Sequence, residues 1–248
     1  MIRTRVVVPA LAAGAVAVMM SASIVVADDL VLIDTPATAL ETAVRGDSEQ
    51  IRPQASTARY QVTITTTWTA ATHPGTLPPD PHVSPSVLAA HGRPGDLFAA
   101  GAPASPGIEI MAELGGTTTL LSELAANPTV NSTDTGRRID TDTAAVTDQL
   151  VVDVTQQNGY LSLVTMLAPS PDWFIGFADV AVFGASGWEQ RIVLDLGNYD
   201  AGTDSGVDFT SGNIDTQPPQ LISGPRDAPF QIAAGQGRFG FAVIERIG

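Results

Sequence analysis

Between residues 60 and 68 apolar and polar positions alternate: Val62, Ile64, Thr66 and Trp68 fall on one side, and Gln61, Thr63, Thr65 and Thr67 on the other. A period of two with β-branched residues at most positions predicts a half-buried antiparallel strand. From Leu150 onward strand signals recur at short intervals, over residues 150–154, 160–167, 173–183, 190–196 and 239–247. In the last of these, Phe239, Phe241 and Val243 alternate with Gly240, Ala242 and Ile244, which are also small or apolar, so a central strand covered on both faces is expected. A threonine start, Glu123 and the stop Asn127-Pro128 predict one short helix over residues 117–125. Residues 131–148, polar with Gly136 and four aspartates, read as a surface loop, and residues 72–95 as a long proline-rich loop. Many short strands with at most one short helix predict an all-β antiparallel sandwich or barrel.

Composition narrows this picture. The 248 residues are 44% hydrophobic, enough for one large all-β domain or two small ones. Twelve basic residues, all arginine, face 26 acidic ones, which excludes the clustered positive surface that nucleic acid requires. There is no cysteine, so disulfides, thiolate metal sites, cysteine nucleophiles and lipoprotein attachment are all excluded. At the N-terminus Arg3 and Arg5 precede a long apolar run, and Val25-Val26-Ala27 stands before Asp28-Asp29. This is the pattern of a signal peptide over residues 1–27, cleaved after Ala27, with an uncleaved membrane anchor as the alternative. Pro9, Ser21 and Ser23 favour cleavage, and hence export without a retained membrane span. Residues 28–58 show no period and read as a linker or loosely ordered leader, leaving 59–248 as the folded domain. The Arg45-Gly46-Asp47-Ser48 within the leader is a short match that arises easily by chance.

Candidate chemistry concentrates between Pro169 and Phe209. Asp172 opens an apolar strand, and one hairpin later Asp200, Asp204 and Asp208 stand among glycines and small polar residues. Carboxylates delivered from separate turns, with Gly202 and Gly206 letting carbonyl groups approach, suit a hard cation that takes about 6 to 8 oxygen ligands. The alternative is that each is an ordinary turn aspartate. All three histidines, His73, His82 and His91, lie in the proline-rich loop at intervals of nine. That spacing fits no single helix or strand face, so loop-pinning hydrogen bonds are expected ahead of a zinc site. Gly184-Ala185-Ser186-Gly187 lacks the spacing of a nucleophile elbow.

Several blocks together resemble one family, the spondin domain of F-spondin and mindin. They are Trp68 with His73-Pro74, the run from His82 to His91, the segment from Gly101 to Gly115 with Ala104-Ser105 and Ala112-Glu113, then Pro169-Ser170-Pro171-Asp172-Trp173-Phe174 with Gly176, and Asp200-Ala201-Gly202-Thr203-Asp204-Ser205-Gly206. The resemblance runs from about Tyr60 to the C-terminus. It implies a C2-like β-sandwich and a calcium ion, Ca2+, held by Asp172, Asp200 and Asp204. Asp208 falls outside the shared motif, as an outer-shell acid or a solvated residue. Animal members use disulfides and carry thrombospondin-type repeats, whereas this chain has no cysteine, so their integrin and matrix partners do not transfer directly. The expectation is an exported calcium-binding adhesion or ligand-binding module and not an enzyme, with structural calcium and an extracellular glycan, matrix or cell-surface protein as partner. The alternative is a secreted glycosidase-like hydrolase that uses the aspartates as acid and base.

Overall fold

A computed structural model describes residues 55–73, 77–141, 145–224 and 239–248. The stretch read as a signal peptide, nearly all of that read as leader, and Arg45-Gly46-Asp47 lie outside the described residues. The predicted first strand forms β1, Thr57–Thr66, beginning within the stretch read as leader. Its alternation is real: Tyr60, Val62, Ile64 and Thr66 are buried, and the residues between them are exposed or half-buried. The remaining strands, in chain order, are β2 (His82–Val83), β3 (Val87–His91), β4 (Val130–Thr135), β5 (Ile139–Asp140), β6 (Val146–Thr155), β7 (Tyr160–Ala168), β8 (Trp173–Ala181), β9 (Phe183–Gly184), β10 (Gly187–Trp188), β11 (Arg191–Asp195), β12 (Gly197–Asp200) and β13 (Gly240–Arg246). Two helices, α1 (Pro106–Leu114) and α2 (Thr118–Ala126), separate β3 from β4.

The strands form two main antiparallel sheets. One has the order β11-β13-β1-β6, with Tyr60 opposite both Arg246 and Val152. The other runs β12-β8-β7, after which β2 and β3 occupy successive lengths of the far edge of β7 and pair in turn with β5 and β4. Tyr60, Val62, Ile64 and Trp68 from the first sheet bury against Leu88, Leu161, Leu163, Trp173 and Ile175 from the second. The result is an all-β sandwich, as the strand pattern predicted.

A helical layer was not predicted in full. Residues 106–114 contain Pro-Gly, which suggests a turn, but Ser105 and Pro106 are an N-cap and first helical residue. The Ser105 hydroxyl accepts from Ile108 N at 3.2 Å. Glu123 of α2 then accepts from Ser105 Oγ at 2.6 Å and Gly107 N at 2.8 Å, locking the start of α1 to its neighbour. Ile108, Met111, Leu120 and Leu124 cover Val87, Ala89, Val164, Phe174 and the rest of the second sheet's outer face. The doubly covered strands are consequently β3 and β7, not β13. In β13 Ala242 and Ile244 point into the core while Phe241 is 37% exposed.

Two predicted loops also carry structure. The segment read as a polar loop, 131–148, contains β5 and most of β4 and runs into β6; β4 shows strict half-buried and exposed alternation. The proline-rich loop contains β2 and β3. Its histidines meet three different environments. His82 Nδ1 lies 2.7 Å from Asp80 O, and buried His91 lies 2.9 Å from Arg93 O through Nδ1 and 2.8 Å from Ser162 Oγ through Nε2. His73 is fully buried, stacks on Phe239 at 4.7 Å, and contacts Thr72 Oγ1 at 2.9 Å.

Burial pushes the His73 pKa down to about 4. An unfolded chain takes up that proton near pH ~6.5, so His73 supports the fold fully above that pH and progressively less as the pH falls towards 4. A His73→Phe variant keeps a ring on Phe239 and should lose less stability than the parent on acidification through this window. Thermal unfolding in chelator at pH 7 and pH 5 measures it, and an equal drop in both proteins would contradict the assignment.

Candidate functional site

Two connections meet at one end of the second sheet. The first, following the cis Ala168-Pro169 bond, leads through Asp172 into β8. The second follows β12, whose last residue Asp200 pairs with Trp173 on one side and exchanges two 3.0 Å backbone hydrogen bonds with Ser223 on the other. The chain then turns at Gly202, which has φ 78° and sits so close to Gln220 that a Cβ would come within 2.6 Å of its carbonyl oxygen. Asp204 pairs in turn with Asp215. The backbone of residues 200–204 is therefore held from two directions, by Asp172 and by residues 215–223.

Asp172 is the centre of this arrangement. Its side chain is fully buried, and Oδ2 accepts from Thr203 N at 2.8 Å and Asp204 N at 3.1 Å. The other oxygen, Oδ1, is buried with no hydrogen-bond partner. Such an atom forgoes its hydration without a replacement, which ordinarily costs about 1–3 kcal/mol or more. Burial, followed by repulsion from Asp200 and Asp204, pushes the Asp172 pKa up to about 6 despite the two N–H donors.

Asp200 and Asp204 are both engaged with their own loops. Asp200 accepts from Gly202 N at 2.9 Å and Trp173 Nε1 at 3.2 Å. Asp204, only 6% exposed, accepts from Gly206 N at 2.7 Å and Ile214 N at 3.1 Å. Asp200 and Asp204 thus share one locality with Asp172 and repel it, yet among the described residues no three histidine, aspartate or glutamate side chains converge as a metal-ligand set. Asp208 stands apart: it is exposed and folds back on Thr210 and Ser211. Beside the aspartates opens a cleft of ≈ 340 Å³ lined by Asp200, Gly202, Asp204, Thr216, Gln220 and Ser223.

One acid of this locality was not selected from the sequence. Glu113 of α1 is hydrogen-bonded to the Thr203 side chain, and burial, together with the charges of Glu109, Asp204 and Asp215, pushes its pKa up. The signal was present as acids at i and i+4, but it becomes readable only once residues 106–114 are known to be helical.

Among the described residues two serines bear on a hydrolytic nucleophile. Ser186 lies exposed in the turn between β9 and β10. The close Ser162–His91 contact is fully buried, and Ser162 Oγ already accepts from Asp179 N at 2.8 Å. No helix among the described residues is long and apolar enough to cross a membrane.

Comparison with known proteins places these features in a family context. A family model described as Spondin_N matches residues 58–229. Spondin-2 of Rattus norvegicus is 30% identical over 173 residues, covering 67% of this chain and 52% of its own length. For Spondin-2 of Homo sapiens the figures are 29% over 182 residues, 71% and 54%. Spondin-1 of Gallus gallus is 33% identical over 175 residues, covering 67% of this chain and 22% of its own length. The chain thus spans about half of Spondin-2 and about a fifth of Spondin-1.

Proposed function

The chain belongs to the spondin N-terminal domain family, and on that premise we propose that it is an exported ligand-binding or adhesion module, stabilised by calcium and without catalytic chemistry. The observation that carries the calcium assignment is the orphaned Oδ1 of Asp172. A buried carboxylate oxygen without a donor, close enough to Asp200 and Asp204 to be repelled by them, calls for a positive charge. A set of oxygen-only side chains suits Ca2+ better than a softer metal. Asp172, Asp200 and Asp204 would hold the ion, which cancels their repulsion and ties the 169–172 connection to the 200–206 loop. In a domain without cysteine such a tie takes the place of a covalent one.

The structural role follows from the ion itself and from the engagement of Asp200 and Asp204. Both oxygens of Asp200 and Asp204 accept hydrogen bonds, from the loop and from Trp173 Nε1 of β8, and an ion on the same carboxylates would take up the lone pairs that a general acid or base needs. Recognition then belongs to the surface that these loops build, and its partners are an extracellular glycan, matrix component or cell-surface protein. Export follows from the N-terminal signal pattern, Arg3, Arg5 and Val25-Val26-Ala27.

The test pairs binding with turnover on the purified domain. Glycan and matrix arrays should show calcium-dependent capture, while a panel of glycosidase and esterase substrates should show no turnover above buffer. Hydrolysis that disappears in Asp172→Asn would establish the enzyme reading instead.

A further inference from the structure

The loop end that carries the aspartates also carries exposed aliphatic side chains. Leu114 at the end of α1 is 73% exposed, Val207 78% and Ile214 58%. Their positions are linked by contacts. Leu114 lines a small cleft with Glu113, Pro171, Asp204, Ser211 and Asn213. Val207 N donates to Ser211 Oγ at 3.1 Å, and Ile214 N donates to Asp204. Leu114 thus lines the cleft, and the backbones of Val207 and Ile214 are tied to two of its other lining residues, Ser211 and Asp204.

Among the described residues, the charged side chains placed around that cleft are acidic. Glu109, Asp208 and Asp215 are exposed, Glu113 is half-buried, and Glu113 feels the charges of Glu109, Asp204 and Asp215. Elsewhere in the described residues arginines offset acids: Arg59 pairs with Asp153, Arg137 with Asp148, Arg138 with Asp80 and Asp140, and Arg191 with Glu245. Among the described residues no such pair involves Glu109, Glu113, Asp204, Asp208 or Asp215. A calcium ion on Asp172, Asp200 and Asp204 would leave Glu109, Glu113, Asp208 and Asp215 without an arginine partner among the described residues.

We infer that this end docks a cationic, aliphatic-rich segment of a partner protein, with Leu114, Val207 and Ile214 as apolar anchors and Glu109, Glu113, Asp208 and Asp215 facing its basic side chains. The inference rests on the reading of this loop end as the recognition surface, and names the partner's chemistry. Opposite charge around an apolar centre steers encounter and excludes anionic competitors, while the desolvated aliphatic contacts hold the complex. An anionic lipid surface meets the same rim with like charge and is disfavoured.

Fluorescence anisotropy with a labelled peptide of alternating arginine and leucine, in calcium-containing buffer, tests the inference. The peptide should bind, weaken as sodium chloride is raised, and bind at least about tenfold less to Glu109→Gln/Glu113→Gln and to Leu114→Ser/Val207→Ser. Glu189→Gln/Asp195→Asn removes the same charge from exposed positions elsewhere and should leave binding unchanged. Equal loss in that control, or preference for a glutamate-leucine peptide or for phosphatidylserine vesicles, would overturn it. The calcium-induced shift in unfolding, recorded on the same samples, separates the two readings: its absence defeats calcium, whereas loss of peptide selectivity with that shift intact defeats only the cationic partner.

Discussion

Calcium should raise the unfolding midpoint at pH 7.5 and lose most of that effect as the pH falls below about 6, where Asp172 takes up a proton. Without the ion, the folded carboxyl holds its proton more tightly than an unfolded aspartate, whose pKa lies near ~3.9. Its contribution to stability is then fully present below the unfolded value and is lost as the pH rises through about 6. Calcium binds the ionised form and reverses that loss. At a hundredfold excess over its Kd, an ion that binds only the folded state adds about 2.7 kcal/mol, or roughly 5–10 °C for a domain of this size. Because His73 titrates over much of the same window in the opposite sense, the informative quantity is the difference between calcium and chelator at each pH, in which the histidine cancels. Asp204→Asn should fold and lose most of the calcium increment. A shift that is equal at pH 7.5 and pH 5, or that survives intact in Asp204→Asn, would remove these residues from the site.

Gly176→Ala should prevent the domain from folding stably. Gly176 lies where β8 is sandwiched between β7 and β12, opposite Val164 and Gly197. A Cβ there would stand 1.9 Å from Leu163 O and 2.9 Å from Leu163 C, backbone atoms of the neighbouring strand that cannot rotate away. Relief requires prising β7 from β8 at the base of the strand that carries Asp172 and Trp173. Overpacking commonly costs about 1–3 kcal/mol, and a backbone collision in a central ladder belongs at or above the top of that range. Chemical denaturation should show a large loss of stability, or the variant should be recovered only as insoluble protein. A midpoint within a degree or two of the parent would contradict the packing described for this sheet.

The sequence made the sandwich readable where alternation was clean. Tyr60, Val62 and Ile64 face the core of β1 because their neighbours are polar, and period two settles both the element and its orientation. It misled in β13, where both faces carry apolar side chains and pattern cannot tell a covered face from the open one that Phe241 occupies. It missed α1 because Pro-Gly reads as a turn until Ser105 is recognised as the cap that makes proline the first helical residue. The polar alternation of β4 reads as a loop, yet Asp134 Oδ2 and Ser132 Oγ accept from Val151 N and Asp153 N and thereby cap the edge of β6.

The candidate site was legible as residue types and illegible as geometry. Asp172, Asp200 and Asp204 could be selected from turn composition and family resemblance, but not the division of labour between the two oxygens of Asp172. Nor could the sequence show that Glu113 approaches Thr203 from a different layer, since that contact exists only when α1 folds onto the second sheet. The exposure of Leu114, Val207 and Ile214 around the same loops is likewise a tertiary fact.

Isothermal titration of calcium into chelator-stripped protein at pH 7.5, with Asp172→Asn measured alongside, tests the central claim most directly. A single calcium per chain, bound with release of protons in proportion to the protonated fraction of Asp172 and absent in Asp172→Asn, is the predicted result. Calcium binding of unchanged stoichiometry and affinity in Asp172→Asn, or no binding heat in the parent, would contradict it.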